Sequence, residues 1–270
     1  MTRRPIVAAA LLAAGLASAL APPGAGAQVP TRTPGQLAVG VSMPAAGFQV
    51  GAVRGRDVLF AKGYEIDLAE ALARELGVPS VRFVQEDRFS AFFEPGAKDY
   101  DIALSQITIT TGREALVDFS RPYLVADQAV LLRRGLTLAK RRFSRLRKLR
   151  LCAERATTGA KQARRIRPER PVRVFGDASR LEAELYQRRC DAVIGDAARL
   201  GALRAQAPQR FGELAGRIRT GERYGAVLES GSPLRAPVDT ALTALEEDGT
   251  LGRLAAAWLS TDVTRLPAFR

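Results

Sequence analysis

The chain has 270 residues, 47% of them hydrophobic and 26% charged, enough for one large domain or two small lobes with cores of their own. It contains no histidine, which excludes histidine-based catalytic triads and histidine metal sites. The net charge of +13 favours anionic surfaces or ligands and says nothing about fold.

Residues 1–27 read as a secretory signal. Arg3 and Arg4 open it, Ile6 to Leu20 is apolar and small, and Ala25-Gly26-Ala27 fits a cleavage site after Ala27. The apolar run falls short of the about 20 residues that a membrane span needs, and it has no cysteine for a lipid anchor. The mature chain is therefore expected to be soluble and outside the cytoplasm, periplasmic or extracellular. Residues 28–34 are a polar, proline-containing lead-in, expected to be flexible. Leu37 to Val41 alternates into a first strand, and Ser42 to Phe48 is a turn rich in proline and glycine. Gly63 to Leu68 leads into an amphipathic helix with Ile66, Ala69, Leu72, Ala73 and Leu76 on one face. Gly77 and Pro79 stop it. Val81 to Val84 is the next strand. Phe89, Phe92 and Phe93 follow at helical spacing, expected in the core.

Residues 99–123 read DYDIALSQITITTGREALVDFSRPY. Ile102-Ala103-Leu104 is a buried strand, Ser105 to Thr108 a polar turn, and Thr111 with Glu114 has capping-box spacing, so a helix is predicted from about Gly112. Hydroxyls at a strand end, backbone N–H groups at a helix start and the Arg113 guanidinium make a receptor for a carboxylate. The local residues equally allow a surface turn with a solvated arginine. Asp127 to Arg133 is an apolar strand. Arg133 to Arg150 then carries nine positive charges and no acids, with Phe143, Leu146 and Leu149 at three-residue spacing. That pattern predicts a basic amphipathic helix or turn whose outer face is either solvated or docks on a membrane surface or transporter. Lacking interleaved aromatics and any binding motif, it does not point to nucleic acid.

Leu149 to Ala153 is a strand, and Arg155 to Gly159 opens a helix. Val172 to Phe175 and Asp191 to Asp196 are further strands, with a helix over Ser179 to Gln187 between them. In α/β sheets ligands bind outside the carboxyl ends of strands, so Asp196 either meets a ligand or caps the helix that follows. Leu234 to Leu245 and Thr250 to Leu259 are two closing helices.

Taken together these stretches resemble the family 3 extracellular solute-binding proteins, the polar amino-acid receptors of ABC transporters. Asp101-Ile102, Ile107-Thr108-Ile109-Thr110, Arg113 and Val117 to Tyr123 match D-[VI]-x-x-x-x-[MLI]-[ST]-I-T-x-x-R followed by V-D-F-S-x-P-Y. Gly63 to Leu68 is similar to G-[FY]-[DE]-[VI]-D-[LI], Asp191 to Asp196 to D-A-[VI]-[VIL]-x-D, and Arg223 to Val227 to P-Y-G-[IV]-[AG]. The resemblance implies an α/β fold of the type II periplasmic-binding-protein kind, with doubly wound lobes joined by a two-strand hinge. Lobe 1 would be residues 35–130 plus 225–264, lobe 2 residues 131–224, and the ligand would lie between them.

The same resemblance implies a ligand set. Arg113 and Thr108 would take an α-carboxylate from lobe 1, Thr157 and Thr158 would add contacts from lobe 2, and Asp196 would take an α-ammonium. Ser105, Gln106, Arg88 and an aromatic residue complete it. Ala45 stands where relatives often carry an aromatic lid, so Phe48 or Phe89 is expected to replace it. Ala156 replaces the glycine of G-T-[TS], and because alanine disfavours positive φ a reshaped loop is expected. No catalytic residue, cofactor or metal is implied. The implied partners are an amino acid or similar small zwitterion and an ABC-transporter permease, with the receptor a monomer. Cys152 lies on one strand and Cys190 just before the strand carrying Asp196, and those strands can be neighbours in such a lobe, so a disulfide is expected in an exported chain, the alternative being two buried thiols. Two other readings remain open. Cyclohexadienyl dehydratases resemble this fold, and Glu154 and Arg155 lie near the cleft loop. A sensor or interaction protein would use the basic segment as its surface.

Overall fold

The computed structural model describes residues 29–259 and 265–270. The predicted signal, its cleavage site and residues 260–264 lie outside the described residues.

The first lobe is built on a seven-stranded sheet. Its strands are β1 (Gln36–Val41), the hairpin β2 (Val50–Arg54) and β3 (Asp57–Lys62), β4 (Ser80–Gln85), β5 (Ile102–Ala103), β6 (Asp118–Phe119) and, from far along the chain, β14 (Val227–Leu228). The order is β2-β3-β4-β1-β5-β14-β6, with β1 parallel to β4 and β5 and with β14 antiparallel to its neighbours. Helix α1 (Tyr64–Glu75) buries Ile66, Ala69, Leu72 and Ala73, as its apolar spacing predicts, and Leu68 besides, with Leu76 partly buried; each large side chain contributes about 1.5–3 kcal/mol. Gly63 starts it at φ 133, where a Cβ would come within 2.3 Å of the Phe48 carbonyl oxygen, so no other residue fits. The short α2 (Thr111–Glu114) is capped by Thr110, whose side chain accepts from the Arg113 amide, one residue earlier than the capping-box spacing suggested. Helices α7 (Arg235–Glu247) and α8 (Thr250–Trp258) pack on α1, and the Trp258 Nε1 donates to Asp67 at 2.6 Å. The expected flexible lead-in is pinned instead. The Arg32 amide donates to Asp101 at 2.7 Å and its guanidinium to the Tyr100 carbonyl and to Glu229.

The second lobe holds a five-stranded sheet of order β10-β9-β11-β8-β12. These strands are β8 (Gln128–Arg133), β9 (Leu151–Glu154), β10 (Arg173–Phe175), β11 (Ala192–Asp196) and β12 (Phe211–Ile218). Helices α5 (Ala178–Tyr186) and α6 (Ala197–Gln206) cover one face through Leu181, Leu185 and Leu200. Helices α3 (Phe143–Arg147) and α4 (Thr158–Arg165) cover the other through Leu146, Ala160, Ala163 and Ile166. Residues 265–270 return to that second face. Phe269 is buried there against Phe143, and Ala268 bridges to Arg217. Cys152 and Cys190 form a disulfide with Cα atoms 6.0 Å apart, as adjacent β9 and β11 allow. Between the lobes, β7 (Leu124–Val125) pairs antiparallel with β13 (Arg223–Tyr224) as a two-stranded connection. Gln128 to Val130 thus belongs to the second sheet, so the first crossing falls before residue 128 rather than after 130.

Candidate functional site

The lobes face each other across a cavity of about 200 Å³. Of the expected residues, Ser105, Gln106, Thr108, Arg113, Thr157, Thr158 and Asp196 all line it.

On the first lobe the loop after β5 is held from beneath. The Glu65 carboxylate, with no exposed surface, accepts from the Gln106 amide at 2.7 Å, the Gln106 and Gln49 side-chain amides and the Tyr123 hydroxyl. These bonds keep Gln106 at φ 50, a left-handed conformation uncommon outside glycine. Burial pushes the Glu65 pKa up to about 7 against these donors. Arg113 turns back over this loop. Its Nη1 donates to the Thr108 carbonyl at 2.8 Å, and its guanidinium lies 4.5 Å from the Phe93 ring centre and 5.1 Å from that of Phe89. Burial pulls its pKa down, and Asp196 and Glu222 oppose that.

The second wall comes from strand ends and helix starts. Thr157 caps α4, its hydroxyl accepting from the Ala160 amide at 3.1 Å and donating to the Glu154 carbonyl at 2.7 Å. A Cβ at Gly159 would lie 2.8 Å from the Ile194 carbonyl oxygen, so α4 begins hard against β11. The Ala156 carbonyl oxygen accepts from Arg113 Nη2 at 3.2 Å, a contact between the lobes. Ala156 takes φ 61, so the alanine keeps the left-handed turn that was expected to be lost. Asp196 precedes α6 without capping it; its carboxylate accepts from the Gln128 side-chain amide. That one amide also donates to Thr158 at 3.1 Å and to Glu222 at 2.8 Å, while the Thr158 hydroxyl donates to Glu222 at 2.8 Å. Burial pushes the pKa of both carboxylates upward, against Tyr224 and Gln128 at Asp196 and Thr158 and Gln128 at Glu222. A cation arriving beside Asp196 would offset that burial.

Two expected residues are elsewhere. Phe48 is fully buried, edge-on to Tyr64 and Tyr224 at 5.8 and 6.0 Å, and belongs to the core; Phe89 supplies the aromatic wall instead. Arg88 points outward into an exposed ion pair with Glu94 at 2.7 Å. Arg155 is exposed and does not line the cavity. Sequence reasoning missed Arg199, which pairs with Glu154 at 2.7 Å inside the cleft. Burial alone would lower the Arg199 pKa, but Glu154, Glu182 and Asp196 together outweigh it and the net shift is upward. Both residues were accessible to the strand-end rule: Glu154 closes β9, and Arg199 follows Asp196 by one helical turn. Asp87 and Asp177 line the rim, also unforeseen. Glu222 and Gln128 carried no signal.

A two-lobed α/β body with a polar cleft facing its hinge defines a small-molecule receptor. The model of the bacterial extracellular solute-binding proteins, family 3, matches residues 38–261, and the chain belongs to that family. The chain is 27% identical over 206 residues to the L-cystine-binding protein TcyJ of Escherichia coli K12, covering 75% of this chain and 76% of that one. It is similar in structure to an ancestral arginine-binding protein bound to glutamine, with a TM-score of 0.73, 28% identity and coverage of 85% of this chain and 100% of that one. It also resembles an ancestral amino-acid-binding protein, AncCDT-1, a precursor of cyclohexadienyl dehydratase, with a TM-score of 0.70, 29% identity and coverage of 84% and 96%. The type II periplasmic-binding-protein fold expected from the sequence is thus the observed one. Among the described residues no helix is long and apolar enough to cross a membrane.

Proposed function

We infer that the chain captures a free amino acid, or a small zwitterion like one, by closing its lobes over it, and passes it to the permease of an ABC transporter. The observation that carries this is the pair of opposite charges on facing walls. Arg113, backed by the Thr108 carbonyl and two phenylalanine rings, is built to take an α-carboxylate. Asp196, whose ionised form burial disfavours, faces it and is suited to an α-ammonium. Thr108, Thr157 and Thr158 border the same space. A ligand must carry both charges to satisfy both lobes, which selects amino acids over simple acids or amines. With Glu154 and Arg199 neutralising each other, Asp87 and Asp177 leave the side-chain end of the cleft acidic. Neutral polar and cationic side chains suit it and acidic ones do not.

A thermal-shift screen of the mature chain against the proteinogenic amino acids, keto acids and polyamines tests this. A ligand at about 100 times its dissociation constant stabilises by about 2.7 kcal/mol. A shift with neutral or cationic amino acids, absent for keto acids and polyamines and absent in Arg113→Ala, is the expected result. Silence across all amino acids would overturn it. Dehydratase activity is the second reading, favoured by the AncCDT-1 likeness; release of phenylpyruvate, followed spectroscopically, would establish it. Its weakness is that the Glu154 carboxylate is engaged with Arg199 at 2.7 Å rather than presented to a ligand.

A further inference from the structure

The net charge of the chain is concentrated in one place. Residues 140–148 carry six lysines and arginines with no acid, and residues 161–170 carry five with one acid, Glu169. These nineteen residues hold a net +10 of the chain's +13. All eleven cationic residues are exposed. The two segments are far apart in sequence but joined in space. The Glu169 amide donates to the Arg147 carbonyl at 2.8 Å, and Arg147 Nε donates to the Ile166 carbonyl at 3.0 Å. Residues 265–270 are tied to the same layer, with Phe143 donating to the Arg270 carbonyl and the Arg270 amide to that of Arg141, both at 3.0 Å. The apolar residues of these segments, Leu146, Ala163 and Ile166 among them, are turned into the lobe core. The outside of the layer over one sheet face is thus almost purely cationic, while the layer over the opposite face, α5 and α6, carries Glu182 and Glu184 among its arginines.

We propose that this face rests on a lipid bilayer whose surface carries anionic phospholipid headgroups, holding the receptor at the membrane by charge alone. The chemistry fits a diffuse anionic plane better than a nucleic acid. The two segments expose cations but no aromatic ring on which a base would stack, their single aromatic, Phe143, being half-buried against Phe269. No exposed apolar side chain lies among them to enter the acyl layer, so the contact is superficial and screened by salt. The geometry leaves the cleft usable. Helix α4 begins at the cleft with Thr158 and ends in the basic face with Arg164 and Arg165, a separation of about 12 Å along its eight residues. Sitting on the basic face does not cover the cavity.

The test is co-sedimentation of the mature chain with vesicles of phosphatidylcholine containing about 30% phosphatidylglycerol, beside a variant with Arg145→Gln, Lys148→Gln, Arg164→Gln and Arg165→Gln. Among the described residues, none of these four side chains has a hydrogen bond or ion pair, so the variant keeps its melting temperature and its amino-acid response. Expected is binding at about 50 mM salt that is lost by about 500 mM, none on pure phosphatidylcholine, and binding by the variant weaker by roughly 600-fold, since each of the four cations contributes about fivefold at such a surface. A second variant with Lys at the three arginine positions binds as the parent does. Absence of binding at low salt, equal binding to uncharged vesicles, or unchanged binding by the glutamine variant would overturn the proposal. So would retention on duplex DNA to higher salt than on the vesicles, which would reassign the face to nucleic acid.

Discussion

Replacing Asp196 with asparagine separates binding from structure because the two effects have opposite signs. The Asp196 carboxylate is half-buried, burial pushes its pKa up, and it shares one amide with Glu222. Asparagine keeps an oxygen for the Gln128 amide and removes the half-buried charge, and no helix cap is lost because Asp196 makes none. The fold should therefore be unchanged or slightly more stable. The ligand ammonium, however, loses its buried counter-charge, a loss of about 2–5 kcal/mol, equivalent to a weakening of roughly thirty-fold to several thousand-fold. Calorimetry with the amino acid that gives the largest thermal shift measures it, next to chemical denaturation of the unliganded protein. The parent should also bind more weakly as pH falls, because protonating Asp196 removes the same partner, and the variant should lose that dependence. An affinity within about threefold of the parent, or a destabilised fold with normal pH dependence, would refute the assignment.

Phe48 and Phe89 should behave differently. Phe48→Ala should destabilise by about 3–5 kcal/mol with affinity unchanged in the folded fraction, whereas Phe89→Ala should weaken binding by roughly tenfold; equal effects on affinity would contradict the core position of Phe48. Replacing Cys152 and Cys190 with alanine opens a link across 38 residues and should lower stability by up to about 4 kcal/mol, read by urea denaturation with and without reductant. Glu65 has its pKa raised from 4.5 to about 7 by burial. The native state therefore binds a proton that the unfolded chain has released, and stability should fall as pH rises from about 4.5 to about 7 and level off above, by about 3 kcal/mol at most. Glu65→Gln should flatten that window; an unchanged slope would place the titration elsewhere.

The elements legible in the sequence were those with one wet and one dry side, or with both sides dry. Helix α1 shows its apolar face at helical spacing, and β8 and β11 read as apolar runs because helices cover both faces of their sheet. The β2–β3 hairpin went unnoticed because it lies at the sheet edge, largely exposed, with nothing for an alternation to record. Strand β12 was hidden by its two register irregularities against β8, which break the period. At the site, Arg113 and Asp196 could be read because helix starts and strand ends are where α/β folds expose polar groups. Arg88 could not be told from its neighbours: Asp87 and Phe89 on either side line the cavity, and the chain turns Arg88 alone outward. Glu222 and Gln128 act through partners far along the chain, which no local pattern reports.

The return of residues 265–270 to the second lobe has a mechanical consequence. Helix α8 ends beside the first lobe and Phe269 is sunk in the core of the second, so the chain joins the two bodies a third time. Five residues lie between Leu259 and Arg265, and the six Cα–Cα steps span about 20 Å at most. In the closure proposed above, the two-stranded connection sets the axis about which the lobes swing, and this third crossing limits how far. Any gape that draws those two points further apart must first unwind the end of α8 or pull Phe269 from its socket, so the widest opening of the cleft is limited by residues that never meet the ligand.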